Sequence, residues 1–223
     1  MQTATKTDLI TFNNWTLRVR QSTIENPKVL LMIHGITGDE NSMWVFGRKF
    51  STSYLIIAPR APFIAQPFGY SWRDVEKYPL QTDFGMPALH MLESSADDLI
   101  RLVDEYTTSL KIEANQFDVV GFSQGAAMVS VLGLVHPYRI RKMAVLAGFV
   151  PSGLDEYIAQ KPLADKNVFV AHGTKDETVT INRAHEAVNL FQQAGADVTF
   201  VEDEVGHKLG SNGMKALEEF LQY

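Results

Sequence analysis

The chain of 223 residues contains no cysteine. Disulfide bonds, thiolate catalysis and cysteine metal sites are therefore excluded. An excess of positive charge is lacking as well, because 20 lysines and arginines stand against 26 aspartates and glutamates, for a formal net charge of −6. This balance gives no electrostatic reason to expect nucleic acid or an anionic membrane as a partner.

Long apolar runs are also missing. No run approaches the roughly 18 residues that a transmembrane helix needs, and the first thirty residues hold no basic-then-apolar signal region. We therefore expect a cytoplasmic protein with no stable membrane insertion. The length and an apolar fraction of 45% suit one globular domain over residues 1–223.

The chain does contain an alternation of short apolar runs and longer amphipathic ones. This pattern predicts an α/β fold, with a mostly parallel central sheet and helices on both faces. The predicted strands are 16–20, 29–33, 54–58, 117–120, 143–147, 168–171 and 198–201. The predicted helices are 91–110, 124–135, 181–194 and 213–221.

The stretch from about residue 60 to residue 90 interrupts this alternation. It carries four prolines and six aromatic residues, Phe84 among them. A long irregular segment in a compact domain is usually functional or disordered, and the aromatic residues argue against disorder. We interpret it as a short irregular cap that supplies pocket walls. The alternative is a satellite hydrophobic cluster under a long loop.

The most informative motif is Gly121-Phe122-Ser123-Gln124-Gly125, which lies between a predicted strand and a predicted helix. It fits the G-x-S-x-G pattern of a nucleophile elbow, a sharp turn that exposes the serine hydroxyl. The flanking glycines allow the two elements to approach closely. Ser123 is therefore the predicted nucleophile.

A serine nucleophile needs a base, usually a histidine that a carboxylate orients. Asp176 and His207 each follow a predicted strand, in the order serine, acid, histidine. Because the carboxyl ends of parallel strands meet at one edge of a sheet, we expect the three side chains to converge. The rival acids are Glu177 and Asp165.

An oxyanion formed at the reacting carbonyl needs fixed N–H donors. We expect one from the backbone of Gln124, at the start of the elbow helix. The second is expected from Ile36, in the glycine-containing loop that follows the strand 29–33. His34 and His172, each next to a glycine at a strand end, are predicted to bond loop backbone and to be structural.

With these residues in place, the sequence resembles the phospholipase/carboxylesterase family of α/β-hydrolases, from about Lys28 to the C-terminus. Six pieces carry the resemblance, in this order: Leu31-Met32-Ile33-His34-Gly35, Ala58-Pro59-Arg60-Ala61-Pro62, Ser71-Trp72-Arg73-Asp74, Gly121-Phe122-Ser123-Gln124-Gly125, His172-Gly173-Thr174-Lys175-Asp176 and Gly206-His207. The resemblance implies a Ser–Asp–His esterase without a cofactor. It also supports Ile36 and Gln124 as oxyanion donors, and Trp72 as a pocket residue.

Two departures from the family bear on the substrate. Arg73 stands where the family often has an aromatic residue, and Leu146-Ala147-Gly148 stands where it often has Leu-Ser-Gly. An arginine at the pocket mouth would pair with a substrate carboxylate or phosphate. The alternative is a surface arginine bonded to Asp74 or Glu76, and the sequence favours that alternative slightly. Phe149 is a further candidate for substrate contact.

The sequence therefore predicts a serine carboxylic ester hydrolase that acts on short or medium acyl esters, possible substrates including thioesters and lysophospholipids. No metal or cofactor is expected, and a monomer or homodimer is expected. A dienelactone-hydrolase-like enzyme is an alternative, although that family usually has cysteine at the elbow. A small-ligand receptor on the same fold is another. Candidate pocket methionines are Met43, Met86 and Met91.

Overall fold

The structure is a computed structural model that describes residues 6–79 and 86–222. Its strands are β1 (Asp8–Phe12), β2 (Trp15–Arg20), β3 (Lys28–Ile33), β4 (Tyr54–Pro59), β5 (Phe63–Ile64), β6 (Tyr70–Ser71), β7 (Phe117–Phe122), β8 (Ile140–Leu146), β9 (Asn167–Gly173) and β10 (Asp197–Asp203). Its α-helices are α1 (Trp44–Gly47), α2 (Glu93–Ser109), α3 (Gln124–Val135), α4 (Asp155–Ala159), α5 (Ile181–Gln193) and α6 (Ser211–Gln222). A 3₁₀ turn spans Leu89–Met91.

Eight strands form one sheet in the order β1-β2-β4-β3-β7-β8-β9-β10. From β4 to β10 every neighbouring pair is parallel, while β1 and β2 form an antiparallel edge. The parallel strands run with their carboxyl ends at one edge of the sheet. Loops at that edge are where ligands bind in open α/β sheets.

Successive side chains of a strand point to opposite faces, so a strand covered on both sides contributes to two cores. In β3, Leu31 and Ile33 belong to the core on one face, which also contains residues of α2, α3 and α5. Leu30 and Met32 pack on the other face with α1 and α6. This arrangement confirms the predicted mostly parallel sheet with helices on both faces.

The helix α3 is apolar around its whole circumference and is buried at every residue from 124 to 134. It lies between the sheet, where it packs on β7 and β8, and the amphipathic helix α2. Because α3 is enclosed on all sides, it holds the residue at its N-terminus, Ser123, in a fixed position.

Every predicted strand and helix is present, with ends that differ by a few residues. The sequence did not predict β1, α1 or α4, which are short or lie at an edge. In the cap-like stretch the structure has the hairpin β5–β6 and the 3₁₀ turn. Phe84 and the rest of residues 80–85 lie outside the described residues.

Candidate active site

Ser123 stands at the junction of β7 and α3 with φ 56° and ψ −117°. A positive φ is rare for a residue with a Cβ, and such a conformation costs about 1–3 kcal/mol. The turn is held by the Ser123 amide, which donates to the carbonyl of Leu146 at 3.0 Å. The surrounding buried elements therefore impose a backbone conformation that lifts the hydroxyl out of the turn.

The glycines of the motif are required by close approach of backbone. A Cβ at Gly121 would lie 2.1 Å from the carbonyl oxygen of Gly125, and a Cβ at Gly125 would lie 2.1 Å from that of Ile33. Neither distance is compatible with a side chain. The strands β3 and β7 and the helix α3 thus approach each other at the elbow so closely that only glycine fits at these two positions.

The structure brings the three predicted catalytic side chains together. Nε2 of His207 lies 3.0 Å from Oγ of Ser123, and Nδ1 of the same ring lies 2.7 Å from Oδ2 of Asp176. The three residues follow β7, β9 and β10, so their loops open at the same sheet edge. The distances are those of hydrogen bonds that could carry a proton from hydroxyl to imidazole.

Asp176 is fully buried and its carboxylate is saturated with donors. Oδ1 accepts the backbone N–H groups of Thr178 and Val179, each at 2.9 Å. Oδ2 receives His207. Donors to both oxygens hold the carboxylate in one direction. The rival acids Glu177 and Asp165 are exposed.

His34 and His172 bond to loop backbone. Nδ1 of His34 lies 2.7 Å from the carbonyl of Gly35, and Nε2 accepts the amide of Ala61 at 3.0 Å. Nε2 of His172 lies 2.7 Å from the carbonyl of Val179. Burial lowers the pKa of both imidazoles, so both are neutral near pH 7.

The amides of Ile36 and Gln124, the two predicted oxyanion donors, both belong to residues that line the cavity beside Ser123. Among residues 6–79 and 86–222, neither amide has a hydrogen-bond acceptor. Gly35 brings the two loops together, since a Cβ there would lie 3.1 Å from Cβ of Ser123. Both amides therefore belong to residues of the cavity that contains Ser123, and both lack an acceptor within the described ranges.

Trp72 does not reach the cavity, which departs from the prediction that it binds substrate. The side chain is fully buried, and its indole N–H donates to the carbonyl of His34 at 2.8 Å. Its amide donates to Oε1 of Gln124 at 2.9 Å. Trp72 therefore ties the cap to the two loops that hold the Ile36 and Gln124 amides, and its indole packs in the core.

The cavity in front of Ser123 has a volume of about 800 Å³ and is mostly apolar. Two of the candidate methionines, Met43 and Met86, line it, whereas Met91 does not. Phe149, the further candidate for substrate contact, lies in its wall. A cavity of this size and lining accommodates a small organic molecule.

Arg73 also lines the cavity, and the favoured alternative, a surface arginine bonded to Asp74 or Glu76, is wrong. The residue is only 3% exposed. Within the described ranges its guanidinium forms no ion pair, and its Nε has no hydrogen-bond partner. Burial lowers the pKa of Arg73.

Sequence reasoning missed several lining residues that lie within three residues of the predicted triad. Phe122 precedes Ser123, Lys208 follows His207, and Thr178 and Val179 follow Asp176 within three residues. Their closeness in sequence to the triad was the signal that could have identified them as cavity residues. In the described residues, no group of three or more histidines, aspartates and glutamates is placed to hold a metal ion.

Comparison with solved structures assigns the class of fold. The chain superposes on a carboxylesterase from Mesorhizobium loti with a TM-score of 0.79, covering 97% of this chain and 98% of that one at 21% identity. The shared architecture is the α/β-hydrolase fold. In the part of the chain that the structure describes, no helix is long and apolar enough to cross a membrane.

The model of the phospholipase/carboxylesterase family matches residues 15–223, and the chain belongs to this family. The carboxylesterase SOBER1 of Arabidopsis thaliana is 25% identical over 86% of this chain and 89% of its own length. An acyl-protein thioesterase 1 from Debaryomyces hansenii is 25% identical over 80% of this chain and 82% of its own length. Membership of the family supports an esterase or thioesterase function.

Proposed function

We propose that this protein is a serine carboxylic ester hydrolase that works through an acyl-enzyme, with Ser123, His207 and Asp176 as its catalytic triad. The single observation that carries the proposal is the continuous hydrogen-bonded chain from Oγ of Ser123 through the His207 ring to Oδ2 of Asp176, with steps of 3.0 and 2.7 Å. This chain lies at the wall of a cavity that fits a small substrate.

The protonation pattern supports the direction of proton transfer. Because the ionised Asp176 carboxylate only accepts, Nδ1 of His207 carries a proton and donates it there. Nε2 is then left without a proton and accepts the one from Ser123 as Oγ attacks the acyl carbonyl. The imidazolium passes this proton to the leaving alkoxide or thiolate. Water, activated in the same way, hydrolyses the acyl-enzyme.

The charge that develops on the carbonyl oxygen needs donors that are already in place. The amides of Ile36 and Gln124 fit this role, since both line the cavity and neither is used by an acceptor in the described chain. They are backbone groups on a rigid turn and at the start of α3. Stabilising the oxyanion therefore requires no reorganisation of side chains.

The substrate class follows from the family and the cavity. We expect short or medium acyl esters, because the apolar walls include Phe149, Met86 and Met43 and the volume is about 800 Å³. Relatives named carboxylesterase and acyl-protein thioesterase support both oxygen esters and thioesters as substrates. One domain with a cap over residues 60–90, a cytoplasmic location and a monomeric or homodimeric state complete the proposal.

The test combines covalent labelling with turnover. A fluorophosphonate probe should label the wild-type protein with a stoichiometry of one, at Ser123 by peptide mapping, and p-nitrophenyl acetate should be hydrolysed. A panel of matched oxygen and thiol esters with increasing acyl length then gives the preference. Labelling elsewhere, or absence of both labelling and turnover, would contradict the proposal and favour a small-ligand receptor.

A further inference from the structure

Arg73 is a buried cation with no counter-ion in the described part of the chain. The residue is 3% exposed and follows β6 in the cap. It is absent from all ion pairs formed between residues 6–79 and 86–222, and its Nε has no hydrogen-bond partner there. Burying a guanidinium without pairing is unfavourable, so proteins rarely keep one unless something binds it.

Asp74 and Glu76, the acidic residues that follow Arg73 most closely, form no ion pair with it in the described ranges. Oδ1 of Asp74 accepts the backbone amides of Glu76 and Lys77, each at 3.0 Å, so that carboxylate caps a turn. Glu76 itself is exposed. Burial lowers the pKa of Arg73, and in the part of the chain that the structure describes no carboxylate opposes this shift.

The backbone of Arg73 is fixed relative to the elbow. Its amide donates to Oγ of Ser71 at 3.1 Å, and that hydroxyl donates to the Arg73 carbonyl at 2.8 Å. The Gln124 side chain, which belongs to the residue after Ser123, donates to the same hydroxyl at 3.1 Å. The backbone of Arg73 and the first residue of α3 are therefore held in one hydrogen-bonded unit, and the Arg73 side chain lines the same cavity as Ser123.

The charges that face the cavity have one sign. Among the described residues that line it, Arg73 and Lys208 are cations and none is an aspartate or glutamate. This contrasts with the formal net charge of −6 for the whole chain. Apolar walls such as Met86, Pro87 and Phe149 screen charge poorly, so an arginine among them interacts strongly with an anion.

We infer that Arg73 is a specificity-determining residue that binds an oxyanion group of the substrate. The preferred substrates are carboxylic esters or thioesters that also carry a carboxylate or a phosphate, both of which match the planar fork of a guanidinium. This inference rests on the proposed ester hydrolysis at Ser123. It adds a substrate class that the family name does not specify.

The experiment compares esters that differ only in charge. On the leaving-group side, 4-acetoxybenzoate, its methyl ester and 4-acetoxyphenyl phosphate present a carboxylate, a neutral group and a phosphate. On the acyl side, the p-nitrophenyl monoester of suberic acid, whose carboxylate is too far along the chain to attack its own ester readily, is compared with its methyl ester. Wild-type protein should give a kcat/KM about 10- to 100-fold higher for an anionic member of at least one pair, as expected for a charge-assisted hydrogen bond.

Arg73→Gln should abolish this preference, reducing the anionic-to-neutral ratio of kcat/KM to about one, mainly through KM. Arg73→Lys should restore only part of it, because an ammonium does not form the bidentate pair. Arg101→Gln is the matched control, since it removes one positive charge from an exposed site on α2, where Arg101 pairs with Asp98. The control should keep the wild-type ratio.

The outcomes separate the two proposals. Absence of ester hydrolysis for every substrate contradicts the proposed function itself. Hydrolysis of the neutral esters without any preference for an anionic partner by the wild-type protein overturns the inference on Arg73 alone, even if the Arg73 variants do not fold. Equal loss of the ratio in Arg101→Gln would also overturn it. The carboxylate and phosphate arms show which oxyanion is preferred.

Discussion

Nε2 of His172 lies 3.3 Å from Oδ2 of Asp176, the same oxygen that Nδ1 of His207 contacts at 2.7 Å. The side chains of His172 and Asp176 are fully buried, whereas that of His207 is 23% exposed. Two loop amides hold Oδ1 of Asp176, while Oδ2 lies near the buried imidazole of His172, which is bonded to the Val179 carbonyl, and faces the accessible imidazole of His207. The direction of the Asp176 carboxylate does not depend on His207.

Asp176→Asn should reduce kcat by about 10⁴, because an amide in this position favours the wrong tautomer of His207. The structure makes rescue by another acid implausible, since Glu177 and Asp165 are exposed and neither contacts His207 in the described residues. Steady-state kinetics with p-nitrophenyl acetate measure the loss. Glu177→Gln is the matched control and should keep the wild-type rate. A loss below tenfold in Asp176→Asn would refute the assigned role.

Ser123→Ala should lower turnover by about 10⁴- to 10⁶-fold, since the members of a triad act as a unit. Thermal unfolding should change little, because alanine keeps the Cβ and removes only one hydroxyl. Ser109→Ala, near the end of α2, removes a hydroxyl that donates to the carbonyl of Tyr106 and should retain activity. A Ser123→Ala protein with a tenth of the wild-type turnover is incompatible with the proposed nucleophile.

The sequence predicted the parallel sheet and the convergence of Ser123, Asp176 and His207 because both follow from local rules. Continuous apolar runs indicate strands covered on both faces, and residues after such strands gather at one edge. The elbow glycines indicated where strand and helix backbones approach closely, since Gly121 and Gly125 each lie at a contact that excludes a side chain.

The cap could not be predicted in the same way, because it has little regular structure and its residues are oriented by tertiary contacts. Tryptophan is a residue type that is common in pockets, but the indole N–H of Trp72 donates to the carbonyl of His34 in the interior. Arginine is a residue type that is usually exposed, but Arg73, the next residue, is buried. In a helix or a strand, the spacing of apolar residues indicates which side chains face inward. The irregular segment around Trp72 and Arg73 has no such spacing, so the sequence does not indicate how these side chains are oriented.

Substitution of the elbow glycines should destabilise the fold as well as the site. Gly121→Ala and Gly125→Ala each place a Cβ 2.1 Å from a backbone oxygen, which requires the backbone to move. A loss of about 1–3 kcal/mol or more in the free energy of unfolding is expected. Gly206→Ala is the control, because its Cβ would meet only the carbonyl of Lys175 at 3.7 Å. Urea denaturation compares the three. An equal effect at Gly206 would show that the close approach is not the cause.

The buried His34 makes the free energy of unfolding depend on pH. Its Nε2 accepts the amide of Ala61 at 3.0 Å, so a proton on that atom would face an N–H donor. Burial is the main cause that lowers the pKa of His34 from its usual value of 6.5. Between the two pKa values the unfolded chain binds a proton that the folded protein does not. Unfolding then takes up a proton, and acid favours it.

The contribution of His34 to stability is therefore complete above about pH 6.5 and decreases as the pH falls below it, by at most about 1.4 kcal/mol per pH unit. His34→Gln removes this titration while keeping a polar side chain. We expect a weaker fall of the unfolding free energy from pH 7 to pH 5 in the variant than in the wild type, measured by urea denaturation at each pH. Because the other titrating groups are common to both proteins, the difference isolates His34. Parallel pH profiles would mean that the pKa of His34 is the same in the folded and the unfolded protein, which contradicts the lowered pKa.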